Sequence, residues 1–424
     1  MSEGVIVEAP NTNVTGQVMS GNSGFVEATR NGSVIDSTKV HSDKLKIVIY
    51  STQVIPANPD LKQYGGLELI AGLQAKYFAE LGHEVHLFAT KNSYFSTDKN
   101  GKKPFENGFL YAVGEPGKVN PLEAFKTYWN DPKTRQIFKD ADIICDHSWD
   151  YYCYSVHNEL KNLCKVHHGP DPGFKPENKP PMGKPNLIAV SHNHAKQLTK
   201  QSGITFRGVE NGIDLNNYPF QKEKGDYFLW LSRIYPFKGT HRFIDICNKA
   251  QMKGIIAGGS FGDDRAYVDQ VKLAIANSQY VNAEGKIGQD SVSKDGQKGV
   301  GISHEKKVEL YQNAKAVVIP SIEQLPTHEG GIVQFTEPFG LITIEANACG
   351  TPVIVLPSGG WQETMTHGLN GFFANSDEEV IYYMKRVDEI KPENCRKVAE
   401  HFSYKRMGDE YLKLFQEIID GRGW

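Results

Sequence analysis

LKIVIYSTQVIPANPDLKQYGGLELIAGLQAKYFAELGHEVHLFA, residues 45–89, is the stretch that decides the fold. Lys46-Ile47-Val48-Ile49-Tyr50 is an apolar run of strand length, and the polar loop behind it, with Pro56, Asn58 and Pro59, ends in Gly65-Gly66. From Leu67 the residues Ile70, Ala71, Tyr77, Phe78 and Leu81 recur on one helical face, and Gly82 stands where a helix C-terminus is capped. Val85 to Ala89 is a second strand. Strand, helix and strand in this order make a βαβ unit with parallel strands and a right-handed crossover, so this half is α/β.

The alternation restarts at Tyr227-Phe228-Leu229-Trp230-Leu231 and continues through Ile255-Ile256-Ala257, Ala316 to Ile319 and Val353 to Leu356. The second half is therefore another open parallel sheet. Between the halves lie Asn211-Gly212-Ile213-Asp214, Pro219 and Lys222-Glu223-Lys224, a turn-rich linker. Ser376 followed by Glu379 is a capping box, and Ser403 to Ile419 is a long amphipathic helix. The expected divisions are a polar tail over residues 1–44, a first domain over 45–220, a second over 221–400 and a terminal helix over 401–424. Two such sheets face each other across a deep cleft.

The 424 residues exceed the size at which one core stops growing, which fits two domains. Lys and Arg number 47 against 50 Asp and Glu, a net charge of −3, so no bulk attraction to nucleic acid or anionic lipid is expected. The six cysteines form no CxxC pair and no zinc-ligand spacing, and read as reduced structural thiols. Neither a signal peptide nor a transmembrane run is recognisable, which places the protein in the cytoplasm.

Chemistry concentrates in Glu337-Pro338-Phe339-Gly340-Leu341-Ile342-Thr343-Ile344-Glu345-Ala346-Asn347-Ala348-Cys349-Gly350. Pro338 suits a first helical turn and Gly350 an end, which predicts a helix over Phe339 to Cys349. Glu337 then stands at an anion-binding N-terminus and Glu345 about 12 Å further along. That is too far for a retaining glycosidase pair, whose carboxyls lie roughly 5 Å apart. It suits the two ends of a nucleotide sugar: Glu337 for sugar hydroxyls, the amides of Phe339, Gly340 and Leu341 for phosphate, Glu345 for ribose.

Ser232-Arg233-Ile234-Tyr235-Pro236-Phe237-Lys238-Gly239 follows the strand that opens the second sheet, where ligands of α/β sheets sit. Arg233 and Lys238 can offset charge on a leaving diphosphate without a metal ion. In the first half His147, and His167-His168 before Gly169-Pro170, follow strand-like runs and would project into the cleft. Gly65-Gly66, between a strand and a helix N-terminus, permits close approach to phosphate or sugar. It is not GxGxxG, so a nicotinamide site lacks its fingerprint.

Taken together, Gly65-Gly66-Leu67-Glu68, Leu81-Gly82-His83-Glu84-Val85, Asp146-His147-Ser148-Trp149, Val190-Ser191, Asn211-Gly212-Ile213-Asp214, Ser232-Arg233 with Lys238-Gly239, and Glu337 to Glu345 resemble, in order, a glycosyltransferase of family 4. The resemblance covers about residues 45–420. It implies a GT-B fold, with two Rossmann-like domains, acceptor on the first, nucleotide-sugar donor on the second, and the terminal helix crossing back to the first. It implies that Arg233 and Lys238 contact the diphosphate, Glu337 and Glu345 the sugar and ribose, that His147 lies near the reacting sugar, and that Gly65 and Gly66 face the diphosphate. Retention by front-side attack, independence of metal and the absence of any other cofactor follow from the same resemblance.

Residues 285–304 depart from the pattern where family members contact the base, and a long loop over 323–335 leads into Glu337. A hexose from a UDP-glucose type donor is favoured, with GDP-mannose possible, and a soluble sugar, glycan or small molecule over a lipid as acceptor. The alternatives are a non-catalytic sugar-nucleotide or glycan-binding protein of the same fold, or a related sugar-nucleotide epimerase.

Overall fold

The computed structural model describes residues 44–59, 65–95, 105–171, 183–260, 265–285, 287, 302–326 and 331–424. The expected tail over 1–44 lies, but for its last residue, outside them, as does most of the 285–304 departure. Residues 44–424 form one compact unit built on two parallel sheets.

The first sheet runs, in spatial order, Gly108–Ala112, Glu84–Ala89, Lys46–Tyr50, Ile143–Asp146, Leu163–His167, Leu187–Ala189 and Phe206–Gly208. The strand order reverses beside Lys46–Tyr50, which pairs with Glu84–Ala89 on one side and Ile143–Asp146 on the other. The second sheet runs Val281–Glu284, Gly254–Ala257, Tyr227–Leu231, Ala314–Ile319, Val353–Val355 and Gly371–Phe373, and reverses beside Tyr227–Leu231. Both reversals open a crevice at the carboxyl ends of the strands. These are the two Rossmann-like domains of a GT-B fold.

The central strands are buried on both faces, with Ile47, Val48, Ile49, Leu229 and Trp230 sealed from solvent, as continuous apolar runs of a parallel sheet require. Helix Gly66–Glu80 forms the crossover and ends at Gly82, whose positive φ of 85° provides the expected stop. The edge strand Gly108–Ala112 escapes the sequence reading because Phe109 and Leu110 stay exposed and it carries no alternation.

The chain passes between the domains at two neighbouring points. Ile213 N–H donates to Phe402 O (2.9 Å) and Tyr404 N–H to Ile213 O (3.0 Å), so the two crossings brace each other. Ser403 accepts from Arg406 N–H and caps helix Tyr404–Ile419. This helix packs against the first domain: the Tyr77 hydroxyl donates to Asp409 (2.6 Å), Tyr404 to Glu80 (3.1 Å), and Phe415 packs on Phe78. The terminal helix thus crosses back as expected. A second set of contacts lies at helix His192–Ser202, where the Glu363 carboxylate accepts from the amides of His192 (2.9 Å) and Asn193 (2.5 Å). A carboxylate there complements the positive end of the helix.

Candidate active site

The cleft between the sheets encloses a cavity of about 360 Å³. Its second-domain wall starts from strand Tyr227–Leu231. Trp230, fully buried, donates through Nε1 to Lys238 O (3.0 Å), so the strand itself pins the turn Pro236–Lys238. Pro236 opens that turn, and Gly239, at φ 65°, closes it where a Cβ would lie 1.9 Å from Pro320 O. Lys238 reaches the cleft and pairs with Glu337 through Nζ and Oε2, over the Phe335 ring at 4.8 Å. The Arg233 guanidinium lies 4.5 Å from the Tyr235 ring centroid, and Arg233 lines the same wall.

Glu337 is held through its backbone, its carbonyl accepting from Gly360 N–H (2.8 Å). The helix beyond it begins later than the sequence predicts, at Leu341 instead of Phe339, and ends at Ala348. The cause is Gly340, which takes φ 88° because the Trp361 ring fills the place of a side chain; a Cβ would lie 2.4 Å from it. First-turn amides that could meet an anion are therefore those of Leu341 and Ile342, while Phe339 and Gly340 precede the helix.

Glu345 is buried and already partnered. Its Oε1 accepts from Tyr218 hydroxyl (2.7 Å) and Lys307 Nζ (2.9 Å), its Oε2 from Tyr311 hydroxyl (2.8 Å). Burial alone would raise this carboxyl, but the Lys307 ammonium, with the two hydroxyls, holds it below the usual carboxylate range. Two carboxylate oxygens offer about four acceptor positions, so three donors leave room for one more. Lys307, Tyr218 and Tyr311 are absent from the motif reading: Lys307 and Tyr311 stand four apart on helix His304–Asn313 and Tyr218 in a loop, all 34 or more positions from Glu345, and nothing in that spacing points to it.

The first-domain wall contains Gly65, Gly66, His168 and Val190. A Cβ on Gly66 would lie 3.1 Å from Leu341 Cδ1, so the glycine lets the two domains approach across the cleft. Behind this loop Glu68 is buried with a hydrogen bond from Thr52, and burial pushes its carboxyl up to about 7 despite that bond.

The histidines sort differently from expectation. His147 follows strand Ile143–Asp146 but has no exposed surface and does not line the cavity. Its Nε2 lies 3.0 Å from Gln74 Oε1 and its Nδ1 3.1 Å from His168 Nε2. Helix Gly66–Glu80, carrying Gln74, therefore draws His147 inward, and His168 takes the cleft-facing place. His167 turns away, to Asp171 O. Burial lowers His147 to about 3 and His168 well below the ordinary imidazole value, so both are neutral near pH 7.

The remaining predicted residues Gly65, Gly66, Arg233, Lys238, Glu337, Phe339, Gly340, Leu341 and Glu345 all line one cavity. Phe335, from the loop before Glu337, joins them, as do Ile302, Ser303 and His304 at the end of the 285–304 departure. All six cysteines are buried and unpaired. Among the described residues, one group brings three potential metal-ligand atoms together, His192, Glu210 and Glu363, outside the cavity wall. There Glu363 already accepts the two helix amides and Glu210 pairs with Arg406 (3.0 Å). No helix among them is long and apolar enough to cross a membrane.

Residues 216–405 match the family model of glycosyl transferases group 1. An uncharacterized glycosyltransferase of Methanocaldococcus jannaschii is 26% identical over 208 residues, 46% of this chain and 46% of its own. The chain thus spans about half the length of that curated relative. Among solved structures, sucrose-phosphate synthase of Thermosynechococcus elongatus aligns with a TM-score of 0.63 at 17% identity, over 88% of this chain and 99% of that one. The Anabaena protein HepE, solved with UDP and glucose, aligns with a TM-score of 0.60 at 17% identity, over 88% and 100%. At these identities the solved structures establish the GT-B fold.

Proposed function

We propose that this chain, whose residues 216–405 match the family model of glycosyl transferases group 1, moves a hexose from a nucleotide sugar to an acceptor hydroxyl, with retention and without a metal ion. The observation that carries this reading is the convergence of Arg233, Lys238, Glu337 and the first turn of helix Leu341–Ala348 on one cleft wall. Cations beside a helix N-terminus suit a diphosphate, and a carboxylate held by Lys238 suits sugar hydroxyls.

In the reaction the bond from the sugar's C1 to the diphosphate oxygen breaks, and the acceptor oxygen bonds to C1 on the same face. The acceptor proton passes to the departing phosphate oxygen. Arg233 and Lys238 offset the charge that develops there, a role worth about 10²–10³ in rate for a single well-placed donor. Glu337 orients the sugar, and the remaining acceptor position of Glu345 takes a ribose hydroxyl. The acceptor binds the first domain, proposed to span residues 45–220, and the donor binds the second, over 221–400. Residues 401–424 return to the first, and the crossings near 211–224 and 402–404 act as hinges.

UDP-glucose is favoured over GDP-mannose, a choice supported by the UDP and glucose of the related Anabaena structure. The acceptor is a soluble sugar, glycan or small molecule, and the setting the cytoplasm. A thermal-shift panel of UDP, GDP, ADP and their common sugar conjugates tests the reading. It predicts stabilisation by one nucleotide series, UDP first. No shift with any member would contradict it.

A further inference from the structure

At the carboxyl end of strand Ile143–Asp146 the chain bends through His147, Ser148, Trp149 and Asp150. Of the five tryptophans in the sequence, Trp149 alone is exposed, at 58%. The strand pairs with Lys46–Tyr50, beside which the first sheet reverses its order, so the bend stands where an α/β sheet binds its ligand.

The bend is held from beneath by buried charge. Asp146 and Lys165, both sealed from solvent, lie 3.7 Å apart. Asp146 Oδ1 accepts from Ser148 N–H (2.8 Å), and Lys165 Nζ donates to Ser148 O. The Ser148 hydroxyl lies 2.6 Å from both Asp146 Oδ1 and Asp150 O. A buried ion pair is often no more stabilising than apolar residues of the same volume. An indole left in water forgoes the burial that makes tryptophan stabilising. Stability therefore accounts for neither feature, whereas fixing an exposed aromatic face in one orientation accounts for both.

The surroundings of that face define its ligand. Thr52, Gln53, Pro121, Ser148 and Asp150 line a shallow dent beside Trp149, and its lining includes one carboxylate and, among the described residues, no Lys, Arg or His. An aromatic face among hydroxyl, amide and carboxylate groups suits a ring with apolar C–H faces and hydroxyls at its edge, and repels a phosphate. The dent also adjoins the donor cavity. Thr52 donates to Glu68, and a Cβ on Gly65, which lines the cavity, would lie 2.7 Å from Glu68 Oε2.

We propose that Trp149 is a stacking platform for the acceptor, and that the acceptor presents there a neutral pyranose ring and not a sugar phosphate. The inference rests on the transferase reading above and deepens it by a residue and by the charge of the acceptor.

Indole N–H spectra of the full chain, labelled with nitrogen-15 at tryptophan, read the platform without turnover. The Trp149 signal is the one lost in Trp149→Phe. With UDP present, maltose and cellobiose are expected to shift that signal and leave the other four in place, and glucose 6-phosphate to shift none. Failure of both neutral disaccharides to move it, or an equal shift with glucose 6-phosphate, overturns the proposal.

Binding supplies the second arm, through saturation-transfer titrations read on the sugar protons. Trp149→Ala is expected to weaken maltose and cellobiose about tenfold while leaving UDP unchanged, the size of one aromatic stack. Equal affinity of both disaccharides for Trp149→Ala and the unaltered chain overturns the platform. Shifts at Trp149 with the disaccharides, in a chain that takes up no nucleotide or nucleotide sugar, overturn the transferase reading while the sugar site stands.

Discussion

The two walls of the cleft differ in chemistry. The second-domain wall works with formal charge: Arg233, Lys238 paired with Glu337, and behind them Lys307 paired with Glu345. The first-domain wall presents shape and neutral polarity: Gly66 set close to Leu341, and His168, whose imidazole burial keeps uncharged. A donor with a diphosphate needs fixed charge that is already oriented. A sugar or an acceptor hydroxyl needs an acceptor or a donor at one atom, which an uncharged polar group supplies.

The largest expected effect breaks the charged wall from behind. Glu345→Ala strands Lys307 and the Tyr218 and Tyr311 hydroxyls in a buried place, so urea unfolding should show a loss of about 3–5 kcal/mol. Surviving protein should bind UDP and UDP-glucose less tightly by similar factors. A loss below about 1 kcal/mol would mean that Lys307 escapes to solvent. Next comes Lys238→Ala, expected to lower steady-state release of nucleoside diphosphate by about 10²–10³. Unchanged kinetics in both Lys238→Ala and Arg233→Ala would remove that wall from the reaction.

Gly340→Ala should cost about 1–3 kcal/mol, because it demands φ 88° of a residue with a side chain and presses a methyl into Trp361. Thermal unfolding measures it, and a stability equal to the unaltered chain would show that Trp361 moves freely. The smallest effect belongs to the neutral wall. The unfolded chain binds a proton at His147 below the ordinary value of 6.5, whereas the folded chain resists until about 3. Stability contributed by this group is full above 6.5 and is lost as pH falls toward about 3, by about 1.4 kcal/mol per pH unit. Urea unfolding between pH 6.5 and 5 should show a shallower slope for His147→Asn by about that amount. Parallel slopes would place no depressed imidazole there.

The charged wall was the more legible one, because its parts are local. The strand Tyr227–Leu231, the turn carrying Lys238, and the segment from Glu337 to Glu345 each announce themselves within a few residues. Even there the helix start was misread by two residues, since the ring of Trp361, some twenty residues on, sets the conformation of Gly340. Partners such as Lys307, Tyr218 and Tyr311 meet Glu345 only through tertiary packing, and even the i, i+4 spacing of Lys307 and Tyr311 on one helix does not point to it. On the neutral wall the sequence identified histidines at strand ends but not which of them would face the cavity. That depended on Gln74, 73 positions from His147 in the chain, whose helical spacing offers no sign that its amide points at a strand end.

The fold followed the same rule. Buried central strands of both sheets were apolar runs and were found, whereas the edge strand Gly108–Ala112 and the three-residue strands Leu187–Ala189 and Phe206–Gly208 were too exposed or too short to carry a period. The helix caps were informative because they are local. Ser376 accepts from Glu379 N–H (3.2 Å), and Ser403 marks the start of the terminal helix to the residue.

The central claim is that Glu337 reads the sugar while the cations beside it read the diphosphate. Calorimetric titration of UDP and UDP-glucose into the unaltered chain and Glu337→Ala tests it most directly. The account predicts that Glu337→Ala keeps or improves the affinity for UDP, because Lys238 loses its competing carboxylate, and weakens UDP-glucose about tenfold. Equal losses for both ligands, or no change for either, would contradict it.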